Sequence, residues 1–150
     1  MPIVSLQELL EKRPPKTRVM AIDHSKSAWG LALANPELTV ATPLKTIVCS
    51  KFSKDAPILA ALIKEYNVGG LIIGLPLGHD GQDTRRTESV RHFADNLLGA
   101  RTVFENEPLI AFQDERFSTD AAQELAQAAQ TQAIDALAAL DILKKALKIT

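Results

Sequence analysis

Gly69-Gly70-Leu71-Ile72-Ile73-Gly74 carries no polar side chain, and a strand of that kind is stable only with both of its faces covered. Apolar residues recur at helical spacing before it, at Ile58, Leu59, Leu62, Ile63 and Tyr66, and again after it, at Val90, Phe93, Ala94 and Leu97. A doubly buried strand between two helices points to a parallel sheet with crossover connections.

Other segments extend that sheet. Arg18–Asp23 is an apolar run that stops on a carboxylate, Trp29–Ala34 reads as a second strand and Thr39–Ile47 as a third. The short gaps between them fit hairpins, so these three are expected to form an antiparallel meander. Leu109–Phe112 is a fifth strand, ending at Gln113-Asp114-Glu115, and from Ser118 onward the pattern is helical, with a break expected near Gln130-Thr131-Gln132. Before all of this, Ser5 and Glu8 are spaced as a capping box for a short helix that Pro14-Pro15 ends. The order β-β-β-α-β-α-β-α-α predicts a three-layer α/β fold with a mixed five-stranded sheet and flanking helices. Residues 1–16 are read as an N-terminal extension and 17–150 as the main domain.

Composition closes off several functional classes. A formal net charge of −1 gives no overall attraction to nucleic acid, so such a partner would need a local basic patch or bound metal. The single cysteine, Cys49, excludes an internal disulfide, and no Cys/His set has zinc spacing. No apolar run approaches the ~18 residues of a membrane span, and Met1–Ser5 lacks the features of a secretory signal. A cytoplasmic location without membrane contact is expected.

The acids carry the chemistry. Functional groups gather at the carboxyl ends of parallel strands, which is where Asp23 and the Asp114-Glu115 pair fall. If their strands are neighbours, the carboxylates converge, and like charges at one place call for a divalent cation. Oxygen ligands suit Mg²⁺ or Mn²⁺. Asp135 shares a helix face with Ala138 and Ala139, small residues that let the helix approach the sheet, whereas Asp141 is expected to point elsewhere. Each acid also has a plainer reading: Asp23 as a turn former, Asp135 as a solvated helix residue, and Asp114-Glu115 as loop residues ahead of an N-cap at Ser118.

Four stretches, in order, resemble the YqgF/RuvX family of ribonuclease H-like proteins, described as nucleases for the 5′ end of pre-16S rRNA or as Holliday junction resolvases. They are Ala21-Ile22-Asp23 with Gly30-Leu31-Ala32, Ile73-Gly74-Leu75-Pro76-Leu77 with Asp80-Gly81, Asp114-Glu115-Arg116-Phe117-Ser118-Thr119, and Ile134-Asp135-Ala136-Leu137-Ala138-Ala139. The resemblance covers Arg18 to Leu147. It implies a ribonuclease H-like fold, with Asp23, Asp135 and one or both of Asp114 and Glu115 as catalytic metal ligands. Alternation along the strand end favours Glu115 as the ligand. Two Mg²⁺ ions held there would activate a water and stabilise the leaving oxygen of a phosphodiester.

The chain departs from the family in two places. Ser25, Lys26 and Ser27 stand where the family has a Gly-Thr-Lys-like turn, which matters if that backbone needs positive φ. Ala128–Ala133 lacks the basic residues that many members carry before the last acid, which would weaken phosphate binding. Lys26, Arg85, Arg86 and Arg116 are the nucleic-acid-binding candidates. Arg91 reads as part of a solvated helix face, Trp29 as hairpin packing and His79 as a turn residue.

The function expected on this basis is a metal-dependent hydrolase of phosphodiester bonds acting on precursor rRNA. The alternatives are a resolvase acting on branched DNA and a non-catalytic nucleic-acid-binding factor that keeps the fold. A resolvase of a two-fold junction would work as a homodimer, whereas an RNA-trimming enzyme could be a monomer. A sugar-kinase or actin-like nucleotide binder is disfavoured, because the chain is short for two lobes and has no glycine-rich phosphate loop.

Overall fold

The computed structural model describes residues 3–100, 103–104, 108–115 and 131–149, with side chains in the last helix from Asp135 onward. The five expected strands form one sheet in the order β3-β2-β1-β4-β5. They are β1 (Arg18–His24), β2 (Ala28–Ala34), β3 (Ala41–Val48), β4 (Val68–Leu75) and β5 (Leu109–Asp114). The β1-β2 and β2-β3 pairs are antiparallel, as the short gaps required, while β1-β4 and β4-β5 are parallel.

The conditional expectation that the two acid-tipped strands are neighbours is corrected: β4 stands between β1 and β5. The reason lies in its sequence. All eight residues of β4 are buried, and only the interior of a sheet covered on both sides supplies that environment.

Helices α1 (Leu6–Lys12), α2 (Phe52–Glu65), α3 (Arg85–Gly99) and α4 (Thr131–Leu147) cover the two faces. Met20, Ile22, Leu31, Leu71, Ile73 and Ile110 point to the face that packs against α2 and α3. Val19, Ala21, Ala32, Ile72 and Ala111 point the other way, against Leu9 of α1 and Ala139, Ile142, Leu143 and Ala146 of α4. Odd and even residues of β1 thus serve different layers, the period of two that a strand imposes.

The first helix is capped as expected in one direction only. Ser5 Oγ accepts from the Glu8 amide at 3.1 Å, while the Glu8 carboxylate pairs with Lys12 Nζ at 3.4 Å instead of reaching back. Ahead of it, the Val4 amide donates to Ile110 O at 2.7 Å, next to an isolated Ile3–Ile110 bridge on β5. The helix expected from Ser118 to the break near Gln130 and the candidate N-cap Ser118 lie outside the described residues.

Candidate active site

Three acids are directed to one face of the sheet by strand and helix geometry. Asp23 follows Val19 and Ala21 in alternation and so faces the α4 layer. Its antiparallel partner is Gly30, and a Cβ built on Gly30 would lie 1.9 Å from Asp135 O and 2.8 Å from Asp135 Cβ. The α4 backbone therefore rests directly on β2 at Asp135, where only a glycine leaves room. Glu115 continues the β5 ladder, its amide donating to Leu75 O at 2.9 Å. Its Cγ lies 3.2 Å from where a Gly74 Cβ would be, so the side chain crosses the space that glycine leaves open. The register sets Ile22 beside Ile73, which brings Gly74 level with Asp23. Glycines at 30 and 74 are what allow acids from β1, β5 and α4 to approach one another across β4.

Asp114, one residue from Glu115 on the same strand, takes the opposite side by alternation and is exposed. Asp141 corrects its expectation. Its carboxylate pairs with Lys145 Nζ at 2.9 Å, and the same ammonium lies 3.9 Å from Glu115 Oε2. Lys145 and Asp141 were not singled out as site residues; the signal for them was their i, i+4 spacing on the helix that carries Asp135.

Charge and burial act together on these groups. Burial pushes the Asp23 carboxyl up to about 6, the Asp135 charge adds to the rise, and the Arg86 guanidinium opposes it. Burial likewise raises Glu115 to about 7; Lys145 pulls it back, and Asp141, Asp23 and Asp114 add to the rise. Asp135 is raised by burial. Glu115 Oε1 is buried with no hydrogen-bond partner among the described residues, an arrangement that is costly for a carboxylate. Among the described residues no three His, Cys, Asp or Glu side chains close into a set able to hold a metal as they stand. Asp23 feels the charge of Asp135, and Glu115 that of Asp23.

A cationic cleft lies beside the acids, on the opposite face of the sheet. Arg85 and Arg86 form the first turn of α3 and, with His24, Ser25, Lys26 and Ser89, line a depression of about 190 Å³. Two arginines at a helix N-terminus oppose the macrodipole, an arrangement that the stability of α3 does not ask for. The helix start is fixed by a reciprocal Thr84–Thr87 capping box. Thr87 Oγ1 also donates to Pro76 O at 2.6 Å, tying the Gly-Leu-Pro loop to α3. Thr87 is fully buried, so Thr87→Val is expected to cost about 1–3 kcal/mol, read as a lower denaturation midpoint.

The turn after Asp23 needs no glycine. Ser25 is absent from the positive-φ residues, and its Oγ both accepts from the Ala28 amide (3.0 Å) and donates to Ala28 O (2.8 Å). Burial, reinforced by Arg86, holds His24 down at about 4, so its ring is neutral at neutral pH. Arg91 is engaged elsewhere, in a two-bond pair with Asp83 (2.9 and 3.2 Å). Trp29 is 4% exposed and packs on Phe93 and Phe52, the packing role expected of it. His79 falls in a turn, also as expected. Arg116, the remaining candidate for binding phosphate, and most of the uncharged 128–133 segment lie outside the described residues.

Comparison with known proteins decides the family. The model described as "RuvX: Holliday junction resolvase" matches residues 17–149. The chain belongs to the RuvX family. Relatives named "Putative pre-16S rRNA nuclease" include that of Rhodospirillum centenum, 38% identical over 98% of this chain and 81% of its own length. That of Jannaschia sp. is 40% identical, over 95% and 92% of the two chains. Among solved structures, Thermus thermophilus RuvC superposes with a TM-score of 0.53 at 11% identity, over 88% of this chain and 95% of that one. A second T. thermophilus RuvC, "in complex with Holliday junction substrate", gives 0.52 at 16% identity, over 88% and 94%. With the mixed sheet and its meander, this likeness makes the RuvX chain ribonuclease H-like in fold. No helix among the described residues is long and apolar enough to cross a membrane.

Proposed function

We propose that this chain is a divalent-metal-dependent nuclease that hydrolyses phosphodiester bonds in precursor rRNA. One observation carries the reading: Asp23, Glu115 and Asp135, from two strand ends and a helix, are turned to one face of the sheet, and a buried oxygen of Glu115 has no partner among the described residues. A structural role does not call for mutually repelling, half-buried acids with an orphaned acceptor, whereas a hard cation does. The names of the relatives, and the acids' position at the carboxyl ends of parallel strands, support the same conclusion.

The donor set fits Mg²⁺ or Mn²⁺, with Asp23, Glu115 and Asp135 as the residues that would hold it. When bound, such a cation offsets the acids' charge and polarises the phosphate. The chain's own groups do the rest. Lys26, Arg85 and Arg86 bind the phosphates and orient the backbone. Lys145, held by Asp141, keeps Glu115 in position and offsets part of its charge until metal arrives. Asp114, on the other side of the strand end, is assigned no ligand role. The protein would act in the cytoplasm, where its substrate is transcribed.

The test is cleavage of a labelled precursor rRNA 5′ leader and of a four-way DNA junction, with Mg²⁺ or Mn²⁺ and with chelator. Metal-dependent cutting of the leader, lost in Asp23→Asn, is the expected result. Preferential cutting of the junction would make the protein a resolvase, and no cutting of either by folded, metal-loaded protein would leave a binding factor.

The basic residues give a further expectation. Charge removal at Lys26, Arg85 or Arg86 should weaken RNA binding irrespective of sequence and shrink the log–log salt slope by about 1 for each phosphate left without its cation. Binding titrations from low to moderate salt check this.

A further inference from the structure

Two depressions meet at the carboxyl end of β1, on the sheet face turned away from α4. They share His24, Ser25, Lys26 and Ser89. One is the cationic cleft walled by Arg85 and Arg86. The other, of about 220 Å³, is lined by residues that include His24, Trp29, Phe52, Ser89, His92 and Asn96.

The floor of this second cleft is built from rings. His24 stacks on Phe93 at 4.4 Å between centroids, Phe93 meets Trp29 at 4.8 Å, and Trp29 meets Phe52 at 6.2 Å. Its rim is polar: Ser89, His92 and Asn96 follow one another at i, i+3 and i+7 along one face of α3. His92 and Asn96 are exposed there. The partly exposed rings of His24 and Phe52, backed by the buried Phe93 and Trp29, with hydroxyl, imidazole and amide groups above, suit a flat heteroaromatic ring with a hydrogen-bonding edge. The volume falls short of the roughly 300 Å³ at which sites for whole small molecules begin, so one ring fits and an extended ligand does not. The adjoining cations are placed for the phosphate that such a ring would carry.

We propose that this cleft is a nucleobase subsite that receives one unpaired base of a nucleic acid whose phosphate lies on Lys26, Arg85 and Arg86. The inference deepens the nuclease reading and rests on it for the position of the cut. A substrate must then offer an unstacked nucleotide beside the reacting phosphate, and an uninterrupted duplex is a poor substrate.

Trp29 is the only tryptophan of the chain and lines the cleft, so its emission reports occupancy. The experiment titrates the metal-free Asp23→Asn protein with each of the four ribonucleoside 5′-monophosphates and, separately, with ribose 5-phosphate. A saturable change in Trp29 emission is expected with the monophosphates, and binding of ribose 5-phosphate at least about 10-fold weaker. Replacing both His92 and Asn96 by alanine, exposed positions that the fold does not need, should bring monophosphate affinity down to that of ribose 5-phosphate. Equal affinity for the two ligands, unchanged binding by the double variant, or no saturable binding at all would overturn the subsite. No bond is cut in this assay, so a subsite that fails leaves the cleavage result standing, and a failed cleavage assay leaves base binding standing.

Discussion

Asp23→Asn is expected to raise the stability of the metal-free chain at neutral pH while abolishing cleavage. The carboxyl, raised from 3.8 to about 6 by burial and by Asp135, is ionised at pH 7.5 against the preference of the folded state. For an acid raised in this way, the unfolded chain releases its proton first. Stability is therefore highest below the unfolded value and falls as pH rises from about 4 to about 6 through Asp23. The loss continues to about 7 through Glu115. An asparagine removes the Asp23 part, on the order of 2–3 kcal/mol, which for a chain of this size lifts the melting temperature by roughly 5–10 °C. Added Mg²⁺ should stabilise the native chain and leave the variant unchanged, since only the former gains a ligand. Activity should fall by a factor on the order of 10³ or more. Melting curves from pH 4 to 8, with and without metal, check the first part. A variant less stable than the parent at pH 7.5, or a parent whose stability rises steadily over that range, would contradict the account.

Gly30→Ala is expected to damage both stability and activity. The new methyl carbon would lie 1.9 Å from Asp135 O, a backbone atom that no rotamer change can move. The helix must lift from β2 on the order of 1 Å, and a displacement of that size at a reacting centre costs about 10²-fold in rate. Overpacking costs about 1–3 kcal/mol or more. Gly99→Ala is the control: a Cβ there meets nothing within 4 Å, so neither quantity should fall. Parallel melting curves and single-turnover rates for the two variants decide the matter. Full activity in Gly30→Ala would mean that Asp135 tolerates displacement and is no part of the site.

Local pattern made much of this molecule readable. The five strands, the meander and the crossovers follow from period and gap length alone, because those are local quantities. Alternation distinguished Glu115 from Asp114 for the same reason. Strand order is not local, and so the interposition of β4 between the acid-tipped strands was missed, although the eight buried residues of β4 state its cause. The two glycines were noticed as part of a resemblance; what they do, leaving room for Asp135 at Gly30 and for Glu115 at Gly74, depends on contacts between elements far apart in sequence. Lys145 and Asp141 escaped because a pair at i, i+4 on a helix end looks the same whether or not a buried carboxylate lies beneath it. The ring-floored cleft is assembled from β1, β2, α2 and α3, each of whose aromatics by itself reads as core.

The contact between Gly30 and Asp135 has a temporal side. Asp23 leaves the ribosome long before Asp135, with the sheet pairings of β4 and β5 still to be made in between. Contacts so distant along the chain close late in folding. A growing polypeptide therefore carries its acids apart, and Asp135 reaches Gly30 beside Asp23 only when α4 settles on the finished sheet. A chain cut short before Thr131 lacks Asp135 and, on the function proposed above, has no complete centre with which to cut nucleic acid.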